Sequence, residues 1–72
     1  KKPAMKNKIK VMRAIHELTQ QDLADKIQVS RQTINAIEKG KYVPSTLLAL
    51  KMASVFKVTV LEIFEMEDSD WS

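Results

Sequence analysis

Cysteine is absent from this 72-residue chain, and histidine and glycine each occur once. Without cysteine there are no disulfide staples, no thiolate nucleophile and no cysteine-based zinc site. His16 alone supplies neither a metal-binding pair nor an acid–base relay, and no paired carboxylates occur outside the C-terminal tail, so an enzyme is the least expected class. No metal, cofactor or small-molecule ligand is expected. Aromatic residues are few, 6 % of the chain, and none sits where a stacked base would need it, which disfavours RNA. Long apolar runs are also missing. Leu47 to Leu50 is the longest, far short of the roughly 20 residues of a membrane span, and no basic-then-apolar signal segment opens the chain. The expectation is a cytoplasmic protein with no membrane partner.

The length allows one domain with a small core and no separate ligand-sensing module. Twelve Lys and Arg face nine Asp and Glu, a net charge of +3, but the distribution is uneven. Glu62, Glu65, Glu67, Asp68 and Asp70 all lie in the last eleven residues, so residues 1–61 carry +8, and +6 even without Lys1 and Lys2. A basic body suggests a polyanionic partner, although many small proteins are basic for solubility alone. Met5 is a candidate natural start, which would make the residues before it an artificial remnant or a basic end. The expected organisation is an N-terminal tail over 1–5, a helical domain over 6–65 and an acidic tail over 66–72.

Apolar residues recur at three- and four-residue spacing, with no sustained two-residue alternation, which predicts an all-α fold of five short helices. Asn7 is expected to cap a first helix to about Glu17, with Ile9, Met12 and Ile15 as its stripe and Val11 beside them. Thr19 with Asp22 forms a capping box for a second helix that buries Leu23, Ala24 and Ile27. After a tight connection at Gln28 and Val29, Ser30 caps a third helix, and Gly40 ends it in a left-handed conformation. Ser45 opens a fourth helix through Phe56 and Thr59 with Glu62 a fifth, while residues 65–72 carry no pattern. The third helix is the unusual one. Only Ile34 and Ile37 face a core, leaving Arg31, Gln32, Thr33, Asn35 and Lys39 on other faces.

Two short helices joined by three or four residues, the second spending little on the core, describe a helix-turn-helix. The first helix braces on the phosphate backbone; the second enters the major groove, which presents a distinct donor and acceptor pattern for each base pair. The stretch LTQQDLADKIQVSRQTINAIEKGKYVPS, residues 18–45, resembles the lambda-repressor-like (Cro/C1, XRE) helix-turn-helix family, above all its small stand-alone members. The resemblance rests on the ordered set of Thr-Gln, Leu-Ala, Val-Ser, Ile-x-x-Ile-Glu, Gly and Pro-Ser, and it extends from about Lys8 to Phe64.

That resemblance implies roles residue by residue. Gln20 matches a glutamine that binds a phosphate together with the helix N-terminus. Arg31 and Gln32 match residues that read base edges, Arg favouring guanine and Gln adenine. Thr33 matches a position that bonds a phosphate or packs against a thymine methyl, and Asn35 one that reads adenine or holds a neighbouring side chain. Lys39, Lys41 and the backbone at Tyr42 fall where the chain lies along the phosphates. Arg13 and Glu38 match an ion bridge between helices one and three. Gln28 and Lys57 stand where the family often has glycine, and a left-handed conformation there costs each on the order of 1 kcal/mol.

Leu47, Leu50, Leu61 and Phe64 form an extra apolar set, either a generous core or a two-fold dimer face. Trp71 is expected to be disordered or to fold back on such a seam. The resulting expectation is a dimeric repressor on palindromic double-stranded DNA, its two recognition helices about one helical turn apart. The alternative is an antitoxin or adaptor that uses the same apolar surface to hold another protein.

Overall fold

A computed structural model describes residues 5–71. Five helices follow one another, α1 (Ile9–Ile15), α2 (Gln20–Ile27), α3 (Arg31–Glu38), α4 (Thr46–Phe56) and α5 (Val60–Ile63). Two elements were not expected: a two-residue strand β1 (Lys6–Asn7) pairs antiparallel with β2 (Phe64–Glu65), Lys6 opposite Glu65 and Asn7 opposite Phe64. Two residues are too few to show an alternating pattern, which is why periodicity missed them. The ribbon clasps the two ends of the domain together, and Lys8 N–H extends the clasp by donating to the Ile63 carbonyl at 2.8 Å.

Local chemistry places each helix start. The Thr19 hydroxyl accepts from Asp22 N–H and the Asp22 carboxylate accepts from Thr19 N–H, both at 3.0 Å. Ser30 accepts from Thr33 N–H at 3.1 Å and Ser45 from Leu48 N–H at 3.2 Å, each satisfying a first-turn donor that the helix leaves unpaired. At α5 the Glu62 carboxylate accepts from Thr59 N–H at 2.6 Å. These bonds favour the ionised carboxylates: the Thr19 backbone N–H holds the Asp22 carboxyl below its ordinary range, and the Thr59 backbone N–H does the same for Glu62.

Left-handed residues follow α1, α2, α3 and α4. Gly40 has φ 72°, and a Cβ added there would meet nothing within 4 Å, so its requirement is conformational and not steric. Gln28 (φ 63°) and Lys57 (φ 58°) take the left-handed conformation without being glycine, as does Glu17 (φ 56°).

The core joins Ile9, Leu23, Ala24, Ile27, Ile34, Ile37, Leu48, Ala49, Met52, Ala53, Phe56, Ile63 and Phe64. Three expectations change. Helix α1 stops at Ile15, and of its stripe only Ile9 is fully buried: Ile15 is 65 % and Val11 55 % exposed. The chain turns back through Glu17, and it is the His16 ring that lies near Phe56, centroids 5.6 Å apart. Phe64 is not part of an exposed apolar face; at 6 % exposure it belongs to the core, because β2 pairing turns it inward. The tail has local order, with a 3-10 turn over Asp68–Trp71 and Glu67 N–H donating to Asp70 Oδ2 at 2.8 Å. Trp71 in that turn is 77 % exposed and joins no core. The N-terminal residues 1–4, a suspected remnant, lie outside the described residues.

Candidate nucleic-acid interface

Helices α2 and α3, joined through Gln28, Val29 and Ser30, pack against each other more extensively than any other pair. Advancing about 100° per residue, α3 turns Ile34 and Ile37 inward and places Gln32, Asn35, Ala36 and Lys39 opposite them. Arg31 and Thr33 sit on the two shoulders. Arg31, Gln32 and Lys39 are exposed; Thr33, Asn35 and Ala36 are half-buried. The Thr33 hydroxyl is already engaged with Ser30 Oγ at 2.9 Å, which fixes its rotamer at the start of the helix.

The C-terminal half of α3 is anchored by charge. Arg13 on α1 donates from Nε to Glu38 Oε2 at 2.7 Å and from Nη2 to Glu38 Oε1 at 3.2 Å, and from Nη1 to the Leu18 carbonyl at 3.0 Å. Side-chain exposures of 14 % and 10 % put this fork mostly out of water, where a bidentate geometry is both strong and orientationally specific. Gln20, the first residue of α2, donates from Nε2 to the same Glu38 carboxylate at 3.1 Å. One carboxylate therefore ties three helices together. Gln20 keeps its second amide hydrogen and its Oε1 for another partner, beside the unpaired N–H groups of the α2 start.

Above this anchor lies a cleft lined by Asn7, Lys10, Arg13, Gln20, Asn35, Glu38 and Lys39. Its one acid, Glu38, is neutralised by Arg13, so Lys10 and Lys39 give it a positive rim. Gln20, Asn35 and Lys39 thus line one cleft. Lys41 and Tyr42 are exposed on the stretch after Gly40, and Tyr42 lines a separate groove with Val29, Thr33 and Leu47. Two residues were overlooked. Lys10 stands one helical turn from Arg13, an i, i+3 pairing that marks a shared face. For Asn7 the sequence indicates only a helix-capping role. In the structure Lys8 occupies the cap position, although Asn7 Oδ1 does accept from Ile9 N–H at 3.3 Å.

On α4 and α5, Leu47, Leu50 and Leu61 are 65 %, 54 % and 87 % exposed. An apolar groove lined by Met5, Pro44, Thr46, Ala49, Leu50, Val60 and Phe64 runs beside them. Among the described residues there is no cluster of acids and histidine able to hold a metal ion, and no helix long and apolar enough to cross a membrane.

A helix-turn-helix family model matches residues 9–63. The chain belongs to the Cro/C1-type (XRE) helix-turn-helix family. Members of this family are DNA-binding transcriptional regulators. An uncharacterised regulator of this type from Methanocaldococcus jannaschii is 61 % identical over 66 residues, covering 92 % of this chain and all of the relative. A second, from Bacillus subtilis, is 46 % identical over 66 residues, again over its full length. Among solved structures, a candidate DNA-binding protein from Bacteroides fragilis superposes with a TM-score of 0.76 at 30 % identity, over 85 % of this chain and 98 % of that one. A restriction-modification controller protein from Aeromonas hydrophila, at 24 % identity and a TM-score of 0.71 over 76 % of this chain and 83 % of that one, shares the fold.

Proposed function

We propose that this member of the Cro/C1-type family is a homodimeric, sequence-specific repressor acting on a palindromic duplex. The observation that carries the reading is the face of α3. Eight residues spend only Ile34 and Ile37 on the core, and Gln32, Asn35 and Ala36, with Arg31 at one shoulder, face away from it on a scaffold fixed by the Arg13–Glu38 fork. Arg31 and Gln32 contact base edges, with Thr33 and Asn35 at the margins of the read sequence. Gln20, Lys39, Lys41 and the backbone at Tyr42 hold phosphates on either side. These contacts supply affinity that falls steeply with salt, whereas the base-edge contacts supply selectivity. Leu47, Leu50 and Leu61 form the two-fold seam. Their exposure supports that assignment, since apolar side chains this open are costly on a lone monomer.

Selection of bound sequences from a random duplex library tests the proposal directly. The expected product is an inverted repeat with half-sites about one helical turn apart. No enrichment would overturn sequence-specific reading, and enrichment of a single unrepeated site would overturn the dimer. Light scattering that shows a monomer with strong affinity for another protein would point to the adaptor reading.

A further inference from the structure

The C-terminal end of α3 has a polar partner that none of the roles above uses. Asn7 donates from Nδ2 to the Ile37 carbonyl at 3.0 Å and more weakly to the Glu38 carbonyl at 3.5 Å. Oδ1 of the same amide accepts from Ile9 N–H at the start of α1. The Asn7 main chain is itself held, paired with Phe64 in the ribbon. One half-buried amide thus connects the beginning of α1, the end of α3 and the strand that closes the domain.

We infer that Asn7 is a positioning residue for the recognition helix, fixing the tilt and rotation with which α3 meets DNA. The inference rests on the reading of α3 as the base-contacting element. Its first support is that three of the last four carbonyls of the helix are satisfied without Asn7. The carbonyls of Asn35, Ala36 and Ile37 accept from the N–H groups of Lys39, Lys41 and Gly40 at 3.1, 2.9 and 3.0 Å. The Asn7 bond is a second one on the Ile37 carbonyl, using its other lone pair, so it does not complete α3 but locates it against α1. The second support is geometric. Ile34 and Ile37 are apolar contacts, which hold a helix down without fixing its direction. Base-edge hydrogen bonds require placement within about 0.5 Å and 10–20°, whereas lysines on phosphates follow small displacements with their long side chains. A loosened α3 therefore loses base preference before it loses overall affinity.

The test compares Asn7→Asp with the wild type. Aspartate keeps an acceptor for Ile9 N–H but cannot donate to Ile37. Its added charge weakens binding to every duplex, so the readout is the ratio of affinities for the best selected duplex and a scrambled one at equal salt. The expected result is a roughly three- to tenfold fall in that ratio, the span of one ordinary hydrogen bond. Asn7→Ser, too short to reach Ile37, lowers it similarly and serves if the aspartate variant folds poorly. A lowered melting temperature with an unchanged ratio would make Asn7 a structural latch and overturn the inference. If the wild type itself prefers no duplex, the base-reading role of α3 fails first and the inference falls with it.

Discussion

Glu38→Gln removes one charge from the junction of three helices while leaving the side-chain shape almost unchanged. The carboxylate accepts three hydrogen bonds, from Arg13 Nε, Arg13 Nη2 and Gln20 Nε2 at 2.7, 3.2 and 3.1 Å. Glutamine can place an oxygen on one side of this cluster, but its NH2 group then confronts a donor on the other. At least one charge-assisted bond is lost, worth about 1.5–3 kcal/mol net when fully buried. Removing one partner of a fully buried pair costs about 3–5 kcal/mol, because the surviving charge is left desolvated. With Arg13 14 % exposed, water relieves part of that penalty, and we expect a loss of about 2–3 kcal/mol. For a domain this small that lowers Tm by roughly 10–20 °C. Urea denaturation followed by circular dichroism gives the loss as a shift in midpoint at unchanged slope. Arg13→Met combined with Glu38→Leu removes both charges and recovers most of the stability, since apolar replacements of a buried pair are often neutral. The double variant nonetheless binds DNA with reduced base preference, because apolar packing does not fix the rotation of α3. A Glu38→Gln loss under about 0.5 kcal/mol, the range of a surface ion pair, would refute the reasoning.

Arg31→Ala is expected to cost about 1–3 kcal/mol on the best duplex and little on a scrambled one, whereas Lys41→Ala weakens both alike and makes the salt slope shallower by about one; competition titrations at several salt concentrations separate the two patterns. Leu50→Glu places a charge in the proposed seam and shifts light scattering from dimer to monomer, with an unchanged mass counting against that seam. Asp22 and Glu62 titrate lower in the folded chain than in the unfolded one. Their capping bonds thus stabilise fully above the ordinary carboxylate range and lose that contribution as pH falls through the depressed values. Asp22→Asn with Glu62→Gln should flatten the dependence of Tm on pH in that acidic window, and an unaltered profile would show that the caps do not carry it.

The starts of α2 to α5 were legible because each depends on one or two residues close in sequence. Thr19 with Asp22, Ser30, Ser45 and Thr59 with Glu62 all cap as expected, and the core stripes of α2, α3 and α4 follow from spacing alone. The failures share a different cause. Ile15 and Val11 lie on an apolar stripe, but whether a stripe is covered depends on where neighbouring helices run. Phe64 fits an exposed set by sequence, yet its burial is decided by pairing with Asn7, far away in the chain. The Arg13–Glu38 bridge, also between residues distant in sequence, follows from family resemblance and not from periodicity. Asn7 shows the limit most clearly: its local role at the start of α1 is legible, but its bond to Ile37 exists only once the chain has closed.

These tertiary ties follow from the demand placed on α3. A helix of eight residues that buries two isoleucines gains about 2–3 kcal/mol from each, enough to hold it against α2 but not to choose its rotation. Adding a third core residue would strengthen it and remove a side chain from the outward face. Polar ties avoid that conflict. Arg13 and Gln20 grip the Glu38 side chain and Asn7 grips the main chain beside it, all at the C-terminal end, while Ser30 and Thr33 fix the other end. Each bond uses atoms that face α1, α2 or the adjoining turn, so among the described residues the side chains of Gln32, Asn35 and Lys39 remain uncommitted by hydrogen bonds. The reading surface stays open because directional bonds, and not additional core, set the direction in which it points.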